Sequence, residues 1–153
     1  MDWLGYKEVG MQGRSSVLVV DDEFYVANAL QKLLESENHD VVFVLSGKEA
    51  IETCRLRSFN LVISDMRMPG MDGTELLRVL AHDYPVMRRV ILTGYMDMAE
   101  TINAINLGRV HRYLFKPINS RDLRTAVSEE LKIGEHERSE IIRLRRVIDH
   151  LTD

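Results

Sequence analysis

The sequence predicts an α/β domain: a parallel sheet with helices covering both faces. Short β-rich runs alternate with helical patterns five times, and the runs are almost continuously apolar. Strict alternation with short connections implies parallel strands joined by crossover helices. A strand buried on both faces has no polar side to show, which accounts for the second observation. A chain of 153 residues with 45% hydrophobic content is long enough for one such core with an appendage.

The elements follow in order. SVLVV (16–20) reads as the first strand, and Val26, Leu30, Leu33 and Leu34 share one face of a helix over about 24–37. VVFVL (41–45) is the second strand, and Ser46, three residues before Glu49, opens the next helix as a capping box. LVIS (61–64) is the third strand and runs straight into Asp65; Asp72 and Glu75 then repeat the capping spacing ahead of LLRVLAHD. RRVILT (88–93) is the fourth strand, followed by a helix over about 97–107 that closes at Gly108. HRYLF (111–115) is the fifth strand, and a last helix starts near Asn119. The pattern changes at KIGEHERSEIIRLRRVIDHLTD, which is helical, highly charged and too long for the domain's final helix. The expected organisation is an N-terminal tail over 1–15, a domain over 16–133 and a helical linker over 134–153.

Composition narrows the class. A net charge of −4 argues against a nucleic-acid surface as the main partner. The single cysteine, Cys54, permits no internal disulfide and suits a reducing compartment. No apolar run approaches the roughly 18–20 residues needed to span a bilayer. The leader MDWLGYKEVGMQGRSS carries acids and glycines where a signal peptide has its apolar stretch. A cytoplasmic location, with neither nucleic acid nor membrane bound directly, is therefore expected.

Parallel strands all end at one edge, and ligands of open α/β sheets bind there. At that edge the first strand ends in Asp21, Asp22 and Glu23, the third in Asp65, the fourth in Thr93 and Gly94, and the fifth in Lys116 and Pro117. Taken singly, each has an ordinary structural explanation: a helix cap, a strand-end threonine, a solvated loop lysine. Their convergence does not. Crowded carboxylates repel unless a cation neutralises them, and Mg²⁺ favours one or two carboxylates while sharing its other positions with water and phosphate. With Lys116 as a point charge and Thr93 as a hydroxyl donor, the set is similar to a phosphoryl-transfer site.

These residues carry a family resemblance. VLVVDDE, DMRMPGMDG, LTGY and YLFKP, in that order and at those separations, resemble the receiver domain of two-component response regulators over about 16–133. The resemblance implies a flavodoxin-like doubly wound sheet of order 2-1-3-4-5 with five flanking helices and, here, a C-terminal helical extension. It implies a protein that is not an enzyme in the ordinary sense, catalysing only its own phosphorylation and slow dephosphorylation. By position, Asp65 matches the phosphoacceptor, and Asp22, Asp65 and the Arg67 carbonyl the Mg²⁺ ligands, with Asp21 holding a metal-bound water. Lys116 and Thr93 would contact the phosphoryl oxygens, and the Lys116–Pro117 peptide is expected to be cis. Tyr113 matches the aromatic switch residue that responds to Thr93; a half-buried strand tyrosine is the plainer reading of the same position. Arg67 and Tyr95, two residues past Asp65 and Thr93, match the positions that tune the phosphoryl group's lifetime. None of the five histidines lies near the acid edge, so the phosphodonor histidine is expected on a partner kinase.

Two other classes are weighed against this. A haloacid-dehalogenase-like aspartyl-phosphate phosphatase requires an Asp-x-Asp pair after the first strand, where this chain has adjacent acids. A Rossmann or flavodoxin-like nucleotide module requires a glycine-rich loop there, where this chain has DDEFYV. The segment from LTGY to KPIN is also similar to receivers attached to cyclic-di-GMP phosphodiesterases and to enhancer-type regulators. In the tail, Ile141, Leu144, Ile148 and Leu151 recur at coiled-coil spacing. A parallel dimer is expected through this helix or through the face of the fourth helix, fifth strand and fifth helix; a helix folded back on its own domain is the alternative. Glu130, Gly134 and Glu137 occupy the same register and are poor core residues, so a loose segment is expected there.

Overall fold

A computed structural model describes residues 13–152, so the expected tail over 1–15 lies outside the described residues except for 13–15. Strands and helices alternate throughout: β1 Ser16–Val20, α1 Phe24–Ser36, β2 Asp40–Val44, α2 Gly47–Leu56, β3 Leu61–Asp65, α3 Gly73–Asp83, β4 Arg88–Thr93, α4 Met98–Asn106, β5 Arg112–Phe115 and α5 Ser120–Thr152. A single 3-10 turn, Tyr95–Asp97, leads into α4. All neighbouring strands are parallel, in the order 2-1-3-4-5. This is the flavodoxin-like arrangement that the resemblance implies.

Two core layers explain why the strands lack polar alternation. Val17, Val19, Leu61, Ile63, Val90 and Leu92 face α1 and α5, where Ala27, Leu30, Leu34, Leu123 and Val127 meet them. Leu18, Val20, Val62 and Ile91 point the opposite way, onto α2, α3 and α4. Each fully buried Leu or Ile contributes about 1.5–3 kcal/mol. The methionines crowding the loop after Asp65 also belong to this second layer: Met66 and Met68 are buried, and Met71 packs against it.

The expected caps are present. Ser46 Oγ accepts from the Glu49 N–H at 3.1 Å and Glu49 Oε2 accepts from the Leu45 N–H at 3.4 Å. Asp72 Oδ1 accepts from the Glu75 N–H at 2.9 Å. After α4, Gly108 takes φ +72°, the left-handed conformation that terminates the helix.

The C-terminal region departs from expectation in one respect. No break marks residue 133: α5 is one helix of 33 residues. The segment expected to be loose is held against the domain by ion pairs. Arg88, at the start of β4, pairs with Glu130 at 2.8 Å and with Glu137 at 3.2 Å. Gly134 lies between those two acids on the helix and packs on the Arg88 stem, where a Cβ would come within 2.9 Å of Cγ. Glu130 also accepts from Arg112 Nε at 3.1 Å. These acids are poor core residues because their partners are arginines of the same chain.

Candidate acidic site at the sheet edge

Backbone ladders continue past the strands and hold the site residues in place. The Asp21 N–H donates to the Val44 carbonyl at 3.2 Å, Met66 N–H to Leu92 at 2.9 Å and Lys116 N–H to Thr93 at 3.0 Å. Each strand therefore delivers its terminal side chain at a defined height on the same edge. Gly73, the first residue of α3, permits a close approach: a methyl group there would collide with the Asp65 carbonyl oxygen. The Gly73 N–H also donates to the Met66 carbonyl at 2.9 Å. The helix is thus seated directly on the strand end that carries Asp65.

Asp21, Asp22 and Asp65 each offer a carboxylate oxygen within 4.8 Å of one another. Asp21 and Asp65 are buried and Asp22 is exposed. The Lys116 ammonium pairs with Asp65 Oδ1, a buried atom that has this ion pair in place of a hydrogen bond. Asp21 Oδ1 accepts from the Glu23 N–H at 2.9 Å, whereas Oδ2 is buried with no hydrogen-bond partner. Burial raises the Asp21 pKa above the ordinary carboxylate value; the charges of Asp65 and Asp22 add to this, against the Glu23 N–H and Lys116. An orphaned carboxylate oxygen in an all-oxygen cluster fits a hard divalent cation such as Mg²⁺. The Lys116–Pro117 peptide is cis, as expected.

The remaining predicted residues make their contacts along β4, β5 and the start of α4. Thr93 is fully buried, and its hydroxyl meets the Gly94 carbonyl and the Thr101 hydroxyl, each at 3.2 Å. The Arg67 guanidinium reaches across to the start of α4, where Nε donates to Asp97 Oδ1 at 2.7 Å and the group also pairs with Glu100. Tyr95 is 79% exposed and stacks on Phe115, with ring centroids 4.6 Å apart. Tyr113 meets the edge of the same Phe115 ring and is 37% exposed. Phe115 thus joins Tyr95 to Tyr113, a link that sequence reading missed. Thr101 and Asp97 were missed as well. Their signal was the four-residue spacing that stacks them on one side of α4.

The family "Response regulator receiver domain" matches residues 17–128. The transcriptional regulatory protein ZraR of Escherichia coli O157:H7 is 33% identical over 115 residues, covering 75% of this chain and 26% of the relative. The chain spans about a quarter of the length of such curated relatives. Among solved structures, one titled adenylate cyclase from Rhodopirellula baltica superposes with a TM-score of 0.83 at 32% identity, covering 86% of this chain and 98% of that one. The signal receiver domain of an HD domain-containing protein from Pseudomonas fluorescens Pf-5 gives 0.78 at 31% identity, covering 88% and 98%. The phosphatase alternative finds no support in these matches or in the site, whose acceptor candidate ends β3. Sequence, sheet order and the acids at the sheet edge agree: the chain belongs to the response regulator receiver domain family.

Proposed function

We propose that this receiver accepts a phosphoryl group on Asp65 from a phosphohistidine of a partner sensor kinase. One observation carries the reading: three carboxylates crowd one sheet edge, and one of them, Asp65, is paired with Lys116. An Asp65 carboxylate oxygen forms the new bond to phosphorus as the donor's P–N bond breaks, its electron pair staying on the imidazole nitrogen. Mg²⁺, when bound, would neutralise charge on the phosphoryl oxygens; Asp22, Asp65 and the Arg67 carbonyl would hold it, and Asp21 a water beside it. Lys116 supplies a point charge to the phosphoryl oxygens, and Thr93 a hydroxyl donor. Movement of Thr93 toward them vacates space for Tyr113 and reshapes the α4–β5–α5 face. Tyr95 screens the phosphoryl group from water and lengthens its life, while Arg67 governs approach from the β3 side. The relatives' titles name transcription regulation, a cyclase and an HD-domain protein. The receiver is read as a switch module whose output is supplied outside residues 13–152.

Acetyl phosphate with Mg²⁺ tests the assignment. The parent gains one acid-stable, hydroxylamine-labile phosphoryl group and Asp65→Asn gains none. Equal labelling of the two overturns the reading. Asp22→Ala labels poorly at low Mg²⁺ and recovers in part as Mg²⁺ is raised.

A further inference from the structure

The Thr93 hydroxyl is already engaged, and its partner is a buried side chain of the next helix. Thr101 is fully buried one turn into α4, and its own hydroxyl donates back to the Asp97 carbonyl at 2.9 Å. A threonine hydroxyl has one proton to give. With that proton committed to Asp97, Thr101 Oγ1 meets Thr93 Oγ1 at 3.2 Å as the acceptor. The Thr93 proton is therefore shared between Thr101 and the Gly94 carbonyl, both on the β4–α4 side. Phosphoryl oxygens only accept, so Thr93 must withdraw its proton from these partners to donate to them. The acceptor is itself braced: the Asp97 carboxylate is ion-paired with Arg67, two residues past Asp65.

We propose that Thr101 is a positioning residue that holds the Thr93 hydroxyl away from the phosphoryl site and so sets the threshold of the switch. The inference rests on the phosphoacceptor reading of Asp65 and the role given to Thr93. A conformation that must be left before a ligand is bound lowers the apparent affinity by the fraction of molecules not yet competent. Removing the Thr101 acceptor raises the competent fraction without touching the groups that contact the phosphoryl oxygens.

The test measures affinity for beryllofluoride, a phosphoryl mimic, in the presence of Mg²⁺ by calorimetry, with thermal unfolding as a folding control. Thr101→Val, which keeps the shape and deletes the acceptor, binds about two- to tenfold tighter than the parent, the range expected for one net hydrogen bond. Thr101→Ser restores the acceptor and binds as the parent does. In a Thr93→Val background, Thr101→Val has no further effect, because the proton it acts through is gone. Thr101→Ala deletes the same acceptor and gives the same sign if Thr101→Val does not fold. A folded Thr101→Val with unchanged or weaker affinity, or tightening that persists in the Thr93→Val background, overturns the proposal. A parent that binds no beryllofluoride overturns the phosphoacceptor reading and this inference with it.

Discussion

His111 and Arg89 show how one residue pair sets a local titration. Arg89 is buried, and its guanidinium donates to the carbonyls of Met87, Gly108 and Arg109 at 2.8, 3.1 and 2.9 Å. It thereby ties the loop before β4 to the loop before β5. Burial pushes its pKa down to about 10, helped by the charge of Arg88. His111 sits between two donors: Nδ1 accepts from the Arg89 N–H at 2.9 Å, and Nε2 lies 3.2 Å from the Arg89 guanidinium. A neutral ring that accepts at Nδ1 carries its one proton on Nε2, so a second proton must go on Nδ1, where it breaks the contact with the Arg89 N–H and adds charge beside the Arg89 guanidinium. Burial first, then the Arg89 and Arg88 charges, lower the His111 pKa from 6.5 to about 3. The unfolded chain therefore binds more protons between these values, and stability is lost as pH falls through that window and is fully present above it. His111→Asn keeps an acceptor for the Arg89 N–H and removes the titration. Urea unfolding from pH 7 to 5 should show the parent losing stability relative to the variant, with a slope approaching about 1.4 kcal/mol per pH unit. Parallel pH profiles would contradict this account.

At the scale of elements, α5 belongs to the domain for longer than its composition suggests. Arg88 and Glu130 are both almost completely buried, and breaking such a pair leaves an uncompensated charge that costs about 3–5 kcal/mol. Gly134 is the position at which packing and helix propensity oppose each other. Alanine in a helix interior is favoured over glycine by about 1 kcal/mol. Here its methyl group would press on Arg88 Cγ, part of a stem fixed at its far end by Glu130 and Glu137. Gly134→Ala should therefore lower the urea midpoint, and Glu130→Ala should lower it further. A gain of the full propensity value in Gly134→Ala would show that the Arg88 stem yields freely.

For the whole molecule, ion pairs tie α5 to the sheet as far as Glu137, and the helix is mostly exposed from residue 142 on. Leu144, Ile148 and Leu151 lie on that exposed stretch, flanked by Ile142 and Val147. Arg143–Glu140 and Arg145–Asp149 ion pairs lie off the seam. Isolated helices this short are marginal in water, and the heptad spacing suits a second copy of the chain in parallel. No helix among the described residues is long and apolar enough to cross a membrane. Sedimentation should find the full chain dimeric and a chain ending at Arg138 monomeric. The cut falls there because Glu130, Gly134 and Glu137 are part of the receiver's own packing. Monomers in both cases, with and without phosphorylation, would exclude the coiled coil.

The sequence alone determined the α/β class, the caps at Ser46, Asp72 and Gly108, and the set of residues gathered at one sheet edge. Those features depend on short-range periodicity and on the common direction of parallel strands, which a linear pattern records. The strand order came with the family motifs. The tertiary structure decided which way side chains turn and whom they meet. Arg88 and Glu130 are 42 residues apart, and nothing local to either marks them as partners. Thr93 faces Thr101, and Phe115 seats both Tyr95 and Tyr113, through contacts made only when α4 and β5 are brought beside β4. Glu130, Gly134 and Glu137 read as a weak coiled-coil seam because heptad spacing records which residues share a helix face; what that face packs against is fixed by the fold.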